Sequence, residues 1–173
     1  MRTRDPDWRA TIEHAVYWNV RSETSLVGPD GGCILLQTTL ERLVWQLLVI
    51  DGKSLSEDGF SKMQAADQLR LLLSMSSIPL EIPPRLTELQ KAAQEFNWPD
   101  GPQAFVAIRN RLVHPPKTKG RQGRTWPYFE AYVLGKWYLD LVILSACKYE
   151  GPYANRTKIP RWVGEVERVP WSC

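Results

Sequence analysis

Apolar residues recur along this chain at intervals of three and four, the period of a helix that buries one side. From about Trp8 to Thr24, Ile12, Ala15, Val16 and Val20 make one apolar face and predict a first helix. Gly28-Pro29-Asp30-Gly31-Gly32 reads as a turn that stops it. A second helix is expected from about Cys33 to Ile50, where Leu36, Leu40, Leu43, Val44, Leu47 and Leu48 give a stripe broad enough for a central core helix. Asp51-Gly52-Lys53 ends it, and residues 52–59 read as loop. A third helix is expected from about Ser61 to Met75, with Met63, Ala66, Leu69, Leu72 and Leu73 inward. Pro79 and Pro83-Pro84 break the chain before a fourth helix, about Pro84 to Asn97. Asp100-Gly101-Pro102 caps a fifth, which ends near His114 because Pro115 and Pro116 disfavour helix at the residue before them. Residues 115–126 read as a flexible basic loop with Gly120 and Gly123. The sixth helix, about Pro127 to Tyr149, is long and apolar. The tail from Gly151 to Cys173 reads as an extended segment packed on the bundle, with a short strand pair.

The pattern therefore predicts an all-α bundle of five to six helices in up-and-down packing. The 173 residues suit one domain, with 1–7 as a flexible N-terminus and 150–173 as the tail. A composition of 43% hydrophobic and 24% charged residues, with eight Trp, excludes disorder as the dominant state. No unbroken apolar run of about 18 residues occurs, so neither a membrane-spanning helix nor a membrane partner is expected. The first residues carry no apolar core of a secretory signal. Three cysteines, Cys33, Cys147 and Cys173, match neither a disulfide framework nor a zinc spacing. They point to a reducing, cytoplasmic compartment, to buried Cys33 and Cys147, and to no metal centre.

The net charge of +3 says little, but its distribution says more. Between Gly101 and Phe129 there is no Asp or Glu, while Arg109, Arg111, Lys117, Lys119, Arg121 and Arg124 supply six cations. Such clustering attracts phosphates, although a solvated basic loop has the same composition. On a helical wheel with Arg109 at zero, Phe105, Ile108, Leu112 and Val113 fall between about 260° and 40°. Arg109 lies inside that apolar arc, Asn110 and His114 lie on one edge at about 100° and 140°, and Arg111 lies outside at about 200°. An arginine in an apolar stripe needs a partner: a carboxylate, a cluster of carbonyls, or a subunit interface opening onto an anion. Asn110 and His114 are four apart and so are neighbours. His114 at a helix C-terminus can exchange a proton near neutral pH. The bland alternative is an Arg109–Glu41 salt bridge with His114 as a cap. His14, beside Ala15 and Val16 on the first helix, reads as a packed structural histidine.

The segment Arg109-Asn110-Arg111-Leu112-Val113-His114 resembles the R-x4–6-H motif of the HEPN superfamily, which begins Arg-Asn and ends in His at a helix terminus. Thr39-Leu40-Glu41-Arg42-Leu43 is similar to the Leu-Glu-containing segment of many HEPN domains. From about Trp8 onward the chain resembles the C-terminal HEPN domains of ApeA-type bacterial proteins, and Tyr149 to Tyr153 and Val169-Pro170-Trp171 add to the likeness.

The resemblance implies a HEPN-like bundle and a metal-independent, cofactor-free endoribonuclease, of the kind found in stress response, phage defence and toxin–antitoxin pairs. His114 would be base or acid, Arg109 would stabilise phosphate charge, and Asn110 would orient either. Because one His114 cannot be base and acid in the same step, the resemblance implies a homodimer with two motifs in one cleft. It also implies restraint by an inhibitory partner protein or an additional domain. Glu41 would support Arg109, or would be an unremarkable edge carboxylate. Arg111, Lys117, Lys119, Arg121 and Arg124 would contact RNA, and Trp126, Tyr128 and Phe129 would either stack bases or pack inward. The alternative is a catalytically silent HEPN module that binds nucleotide, RNA or protein and dimerises.

Overall fold

A computed structural model describes residues 6–24, 26–114, 125–158, 162 and 164–172. Among them the architecture is all-α. The helices are α1 (Pro6–Arg21), α2 (Gly28–Trp45), α3 (Glu57–Lys62), α4 (Ala65–Met75), α5 (Thr87–Phe96), α6 (Gly101–Val113) and α7 (Tyr128–Ala146). A π-helical turn, Gln46–Asp51, extends α2. The strands β1 (Pro152–Tyr153) and β2 (Glu167–Arg168) pair antiparallel in the tail, as the sequence suggests.

The apolar stripe of α2 makes it the central element. Leu36, Leu40, Leu43, Val44 and Leu48 are buried, and α2 packs against α1, α4, α6 and α7. Taken over Gly28–Asp51, this helix is long and apolar enough to cross a membrane, contrary to the expectation from unbroken runs. That apolar character is spent on the bundle core. The glycine cluster at its start is not a turn but the first turns of α2. Pro29 lacks only an N–H that a first turn leaves unpaired, and Asp30 faces the positive end of the helix dipole. Gly32 is there for close approach: a Cβ on it would lie 2.6 Å from the Tyr132 ring of α7.

The expected loop before the third helix contains a helix of its own. Ser56 caps α3, its hydroxyl accepting from the Gly59 amide at 3.0 Å. Extended Met63 separates α3 from α4, and the buried Gln68 amide donates to the carbonyls of Phe60 and Met63. Among the described residues the bundle thus has seven helices, where the pattern predicts five to six. Residues 6 and 7 belong to α1, not to a flexible leader, whereas residues 1–5 and 115–124 lie outside the described residues.

The first helix departs most from its pattern. Ala15 faces the core, but Val16 and Val20 are exposed, and so is His14, which the sequence had packed. The inward side of α1 carries Thr11, Ile12 and Ala15, and buried Ser22 follows just beyond its end. Its C-terminal end is tied down by charge. Lys136 of α7, only 2% exposed, pairs with Glu23 at 2.8 Å and donates to the Asn19 carbonyl at 3.0 Å. Arg156 of the tail pairs with Glu23 at 2.8 Å and with Asp140, which also accepts from the Asn19 amide at 3.0 Å. Two cations and two anions therefore lock α1, α7 and the tail together. Cys33 is buried as expected, whereas Cys147 is exposed.

Candidate functional site

The helix carrying the motif is capped at both ends by its own sequence. Asp100 accepts from the Gln103 amide at 2.9 Å and holds the Arg70 guanidinium of α4 through both carboxylate oxygens. The cap thereby also fixes where α6 starts relative to α4. At the other end the His114 amide donates to the Asn110 carbonyl at 2.9 Å. His114 itself turns extended, with φ −114° and ψ 124°, as the residue before a proline must. Its imidazole is exposed at the end of the helix.

The sequence places Arg109 in the apolar arc, and the structure agrees. Its side chain is 20% exposed, beside fully buried Phe105 and Ile108. Its partners are few. Nη1 donates to the Asn110 amide oxygen at 3.1 Å, and Nη2 lies 3.9 Å from the Glu41 carboxylate. Its Nε is buried and unsatisfied. At 3.9 Å the ion pair with Glu41 is long for a charge-assisted hydrogen bond. The guanidinium is therefore held in place but not saturated.

Behind Glu41 stands a residue that the sequence reading missed. Gln37, one turn earlier on α2 and 2% exposed, donates from Nε2 to Glu41 at 3.0 Å. Its Oε1 is buried without a partner, beside a small cavity between α2, α4 and α6 that has room for about one water. Its signal was present: a glutamine inside a leucine stripe, four residues before Glu41. Gln37, Glu41, Arg109 and Asn110 form one contiguous polar string from the core to the surface.

Arg111 is the residue most differently placed from the wheel reading. It does not project into solvent. Its guanidinium lies 3.8 Å from the Trp126 ring centroid and 5.0 Å from that of Phe96. Phe96 in turn stacks on Trp98 at 5.3 Å and meets Trp126 at 5.2 Å. A wheel treats the helix alone and could not show that the end of α5 and the approach to α7 fold over this side. Trp126 and Tyr128 are half-buried, which favours packing, whereas Phe129 is exposed. Lys117, Lys119, Arg121 and Arg124 lie outside the described residues. Among the described residues no three His, Cys, Asp or Glu side chains gather as a metal-binding group.

Residues 5–168 match the YopA C-terminal domain family. The chain belongs to that family. It is also 34% identical, over 174 aligned residues and 99% of its own length, to the SPbeta prophage-derived uncharacterized protein YopA of Bacillus subtilis (strain 168). The match covers 38% of that longer protein. No solved structure matches the chain. The YopA C-terminal domain is thus a helical bundle in which one helix brings an arginine, an amide and an exposed histidine to its C-terminal end.

Proposed function

We propose that this YopA C-terminal domain is a HEPN-type endoribonuclease that cleaves RNA without a metal ion. The observation that carries the proposal is the state of Arg109: mostly buried, oriented by Asn110, loosely paired with Glu41, and on the same helix end as the exposed His114. A guanidinium left short of acceptors is suited to receive a phosphate, because two of its N–H groups can meet two phosphate oxygens.

The chemistry follows from those groups. His114 takes the 2′-hydroxyl proton, the 2′-oxygen attacks phosphorus, and the bond from phosphorus to the 5′-oxygen breaks. Arg109 stabilises the added negative charge on the phosphoryl oxygens. A protonated His114 from a second copy supplies the proton to the leaving 5′-oxygen. The products are a 2′,3′-cyclic phosphate and a 5′-hydroxyl. Gln37 and Glu41 position Arg109 and touch no substrate. Lys117, Lys119, Arg121 and Arg124 are assigned to the RNA backbone.

The free thiols Cys33 and Cys147 support a reducing, cytoplasmic setting. The prophage origin of the relative supports a role in conflict between phage and host. The extra length of that relative leaves room for an additional domain that restrains the activity.

The second reading is a non-catalytic RNA- or nucleotide-binding module. It is favoured by Arg111, whose side chain is engaged by Trp126 and Phe96 beside the motif. Labelled total RNA and tRNA incubated with the protein in EDTA separate the two. Cleavage is expected for wild type, with cyclic phosphate ends, and is lost in His114→Ala and Arg109→Ala. Binding without cleavage by any of the three proteins overturns the ribonuclease reading in favour of the module.

A further inference from the structure

Two helices of the bundle close in the same way at the rim of one cleft. At the end of α4 the Ile78 amide donates to the Leu73 carbonyl at 2.9 Å, and the Ser77 amide to the Ser74 carbonyl at 3.1 Å. At the end of α7 the Tyr149 amide donates to the Leu144 carbonyl at 3.0 Å, and the Lys148 amide to the Ser145 carbonyl at 2.9 Å. This closure needs one left-handed residue, a place that glycine fills without strain. Ser77, with φ 54°, and Lys148, with φ 56°, fill it here. Each keeps a side chain where glycine would cost less, and both line the same cleft.

The cleft measures about 290 Å³, at the small end of the range for ligand sites. Its walls carry three kinds of group. Ser76, Ser77 and Ser145 supply hydroxyls that no other group engages among the described residues. Met75 and Trp171 supply an apolar side, and the Trp171 indole is pinned by its 2.7 Å bond to the Tyr149 carbonyl. Lys148 and Glu150 supply opposite charges, and neither forms an ion pair among the described residues.

We propose that this cleft binds a free α-amino acid with an apolar side chain. The ammonium group suits Glu150, because the negative ends of α4 and α7 border the same cleft and add to the pull of the carboxylate. The ligand carboxylate suits Lys148, and the serine hydroxyls can donate to it or accept from the ammonium. The side chain suits Met75 and Trp171. Other small ligands fit less well. A simple anion would meet Glu150 and two negative helix ends, a simple cation would meet Lys148, and a neutral molecule would leave both charges unanswered.

The cleft is separate from the motif. A Cβ on Gly101 would meet Tyr138, and one on Gly135 would meet Phe105, so α6 and α7 run antiparallel. His114 therefore lies toward the start of α7 and the cleft beyond its end, a separation of about 28 Å along this 19-residue helix. The inference stands or falls independently of the ribonuclease reading.

The probe is L-phenylalanine, titrated against the whole chain and followed by NMR. A dissociation constant of about 0.1–1 mM is expected for so small a ligand in an open cleft. Phenethylamine, which lacks the carboxylate, and hydrocinnamate, which lacks the ammonium, should each bind at least about tenfold more weakly. Glu150→Gln and Lys148→Gly should weaken L-phenylalanine binding by a similar factor. Lys148→Gly removes backbone strain together with the charge, so it should melt no lower than wild type, and lost binding there reports the site and not the fold. No binding of L-phenylalanine or L-leucine up to about 20 mM overturns the proposal. So does either analogue binding as well as the amino acid, or either variant binding as well as wild type.

Discussion

Gly135 sits where α7 crosses α6. A Cβ there would lie 2.5 Å and 2.7 Å from the Phe105 ring and 3.3 Å from Leu36. Phe105 and Leu36 are fully buried, so neither can swing away without moving its helix. Gly135→Ala should therefore cost about 1–3 kcal/mol, despite the better helix propensity of alanine. Thermal unfolding should show it as a fall of roughly 3–10 °C. An unchanged midpoint would mean that α6 is not held against α7 at this point. Cys33 gives a second prediction at this scale. Burial, helped by the charge of Asp30, pushes its thiol up to about 12 from the ordinary 9.0. The thiol therefore stays neutral and sealed at neutral pH. In a Cys147→Ser, Cys173→Ser background, a thiol reagent at pH 8 should label Cys33 only after denaturant is added. The linkage also has a sign. Stability is intact below pH 9, where neither state ionises, and declines between pH 9 and 12 as the unfolded thiol loses its proton.

The elements that could be read from sequence were those whose signal is local. Asp100-Gly101-Pro102 gave the start of α6, and Pro115 its end, because caps and prolines act on their own neighbours. Asp100 does more than cap, since it also holds Arg70 of α4. Asp100→Ala should cost about 2–3 kcal/mol, whereas Asp100→Asn keeps the cap and loses mainly the charge on Arg70; urea melts of the two should differ. What could not be read was tertiary. The glycines of residues 28–32 serve close packing against Tyr132, and no neighbouring residue in the chain reveals that. The apolar residues of α1 were legible, and Ile12 and Ala15 do face the core, but that Val16 and Val20 would lie outside was not. At the site, the position of Arg109 followed from the wheel, whereas Gln37 behind it and the aromatic stack on Arg111 depend on three other elements. The α1–α7–tail lock is a further product of tertiary structure, and it is sensitive to acid. Burial works against the Glu23 carboxylate, but Lys136 and Arg156 outweigh it and hold it below its ordinary 4.5. Its contribution is present above about pH 4.5 and is lost as pH falls through the lower folded value. Glu23→Gln should flatten the loss of stability on acidification and lower stability at pH 7.

At the scale of the molecule, the question is whether the tail is an appendage or part of the domain. The two-residue strands cannot hold it, since an isolated hairpin is marginal at best. The bundle holds it. Tyr153 and Val169 are buried with the helical core. The Tyr153 hydroxyl accepts from the Trp137 indole at 3.1 Å and donates to Glu167 at 2.7 Å. Arg156 reaches back to Asp140 and Glu23, and the Trp171 indole donates to the Tyr149 carbonyl at 2.7 Å. Ending the chain after Glu150 would expose the Trp137 ring and leave its N–H without a protein acceptor. It would also strip Arg156 from Asp140 and from the Lys136–Glu23 pair, leaving buried charge short of partners. The truncated chain should therefore melt at least about 10 °C lower and bind a hydrophobic dye. Tyr153→Phe, which removes only the hydroxyl, should cost about 1–2 kcal/mol and bind no dye. A truncated chain that melts with the full-length midpoint would make the bundle self-sufficient and the tail a passenger.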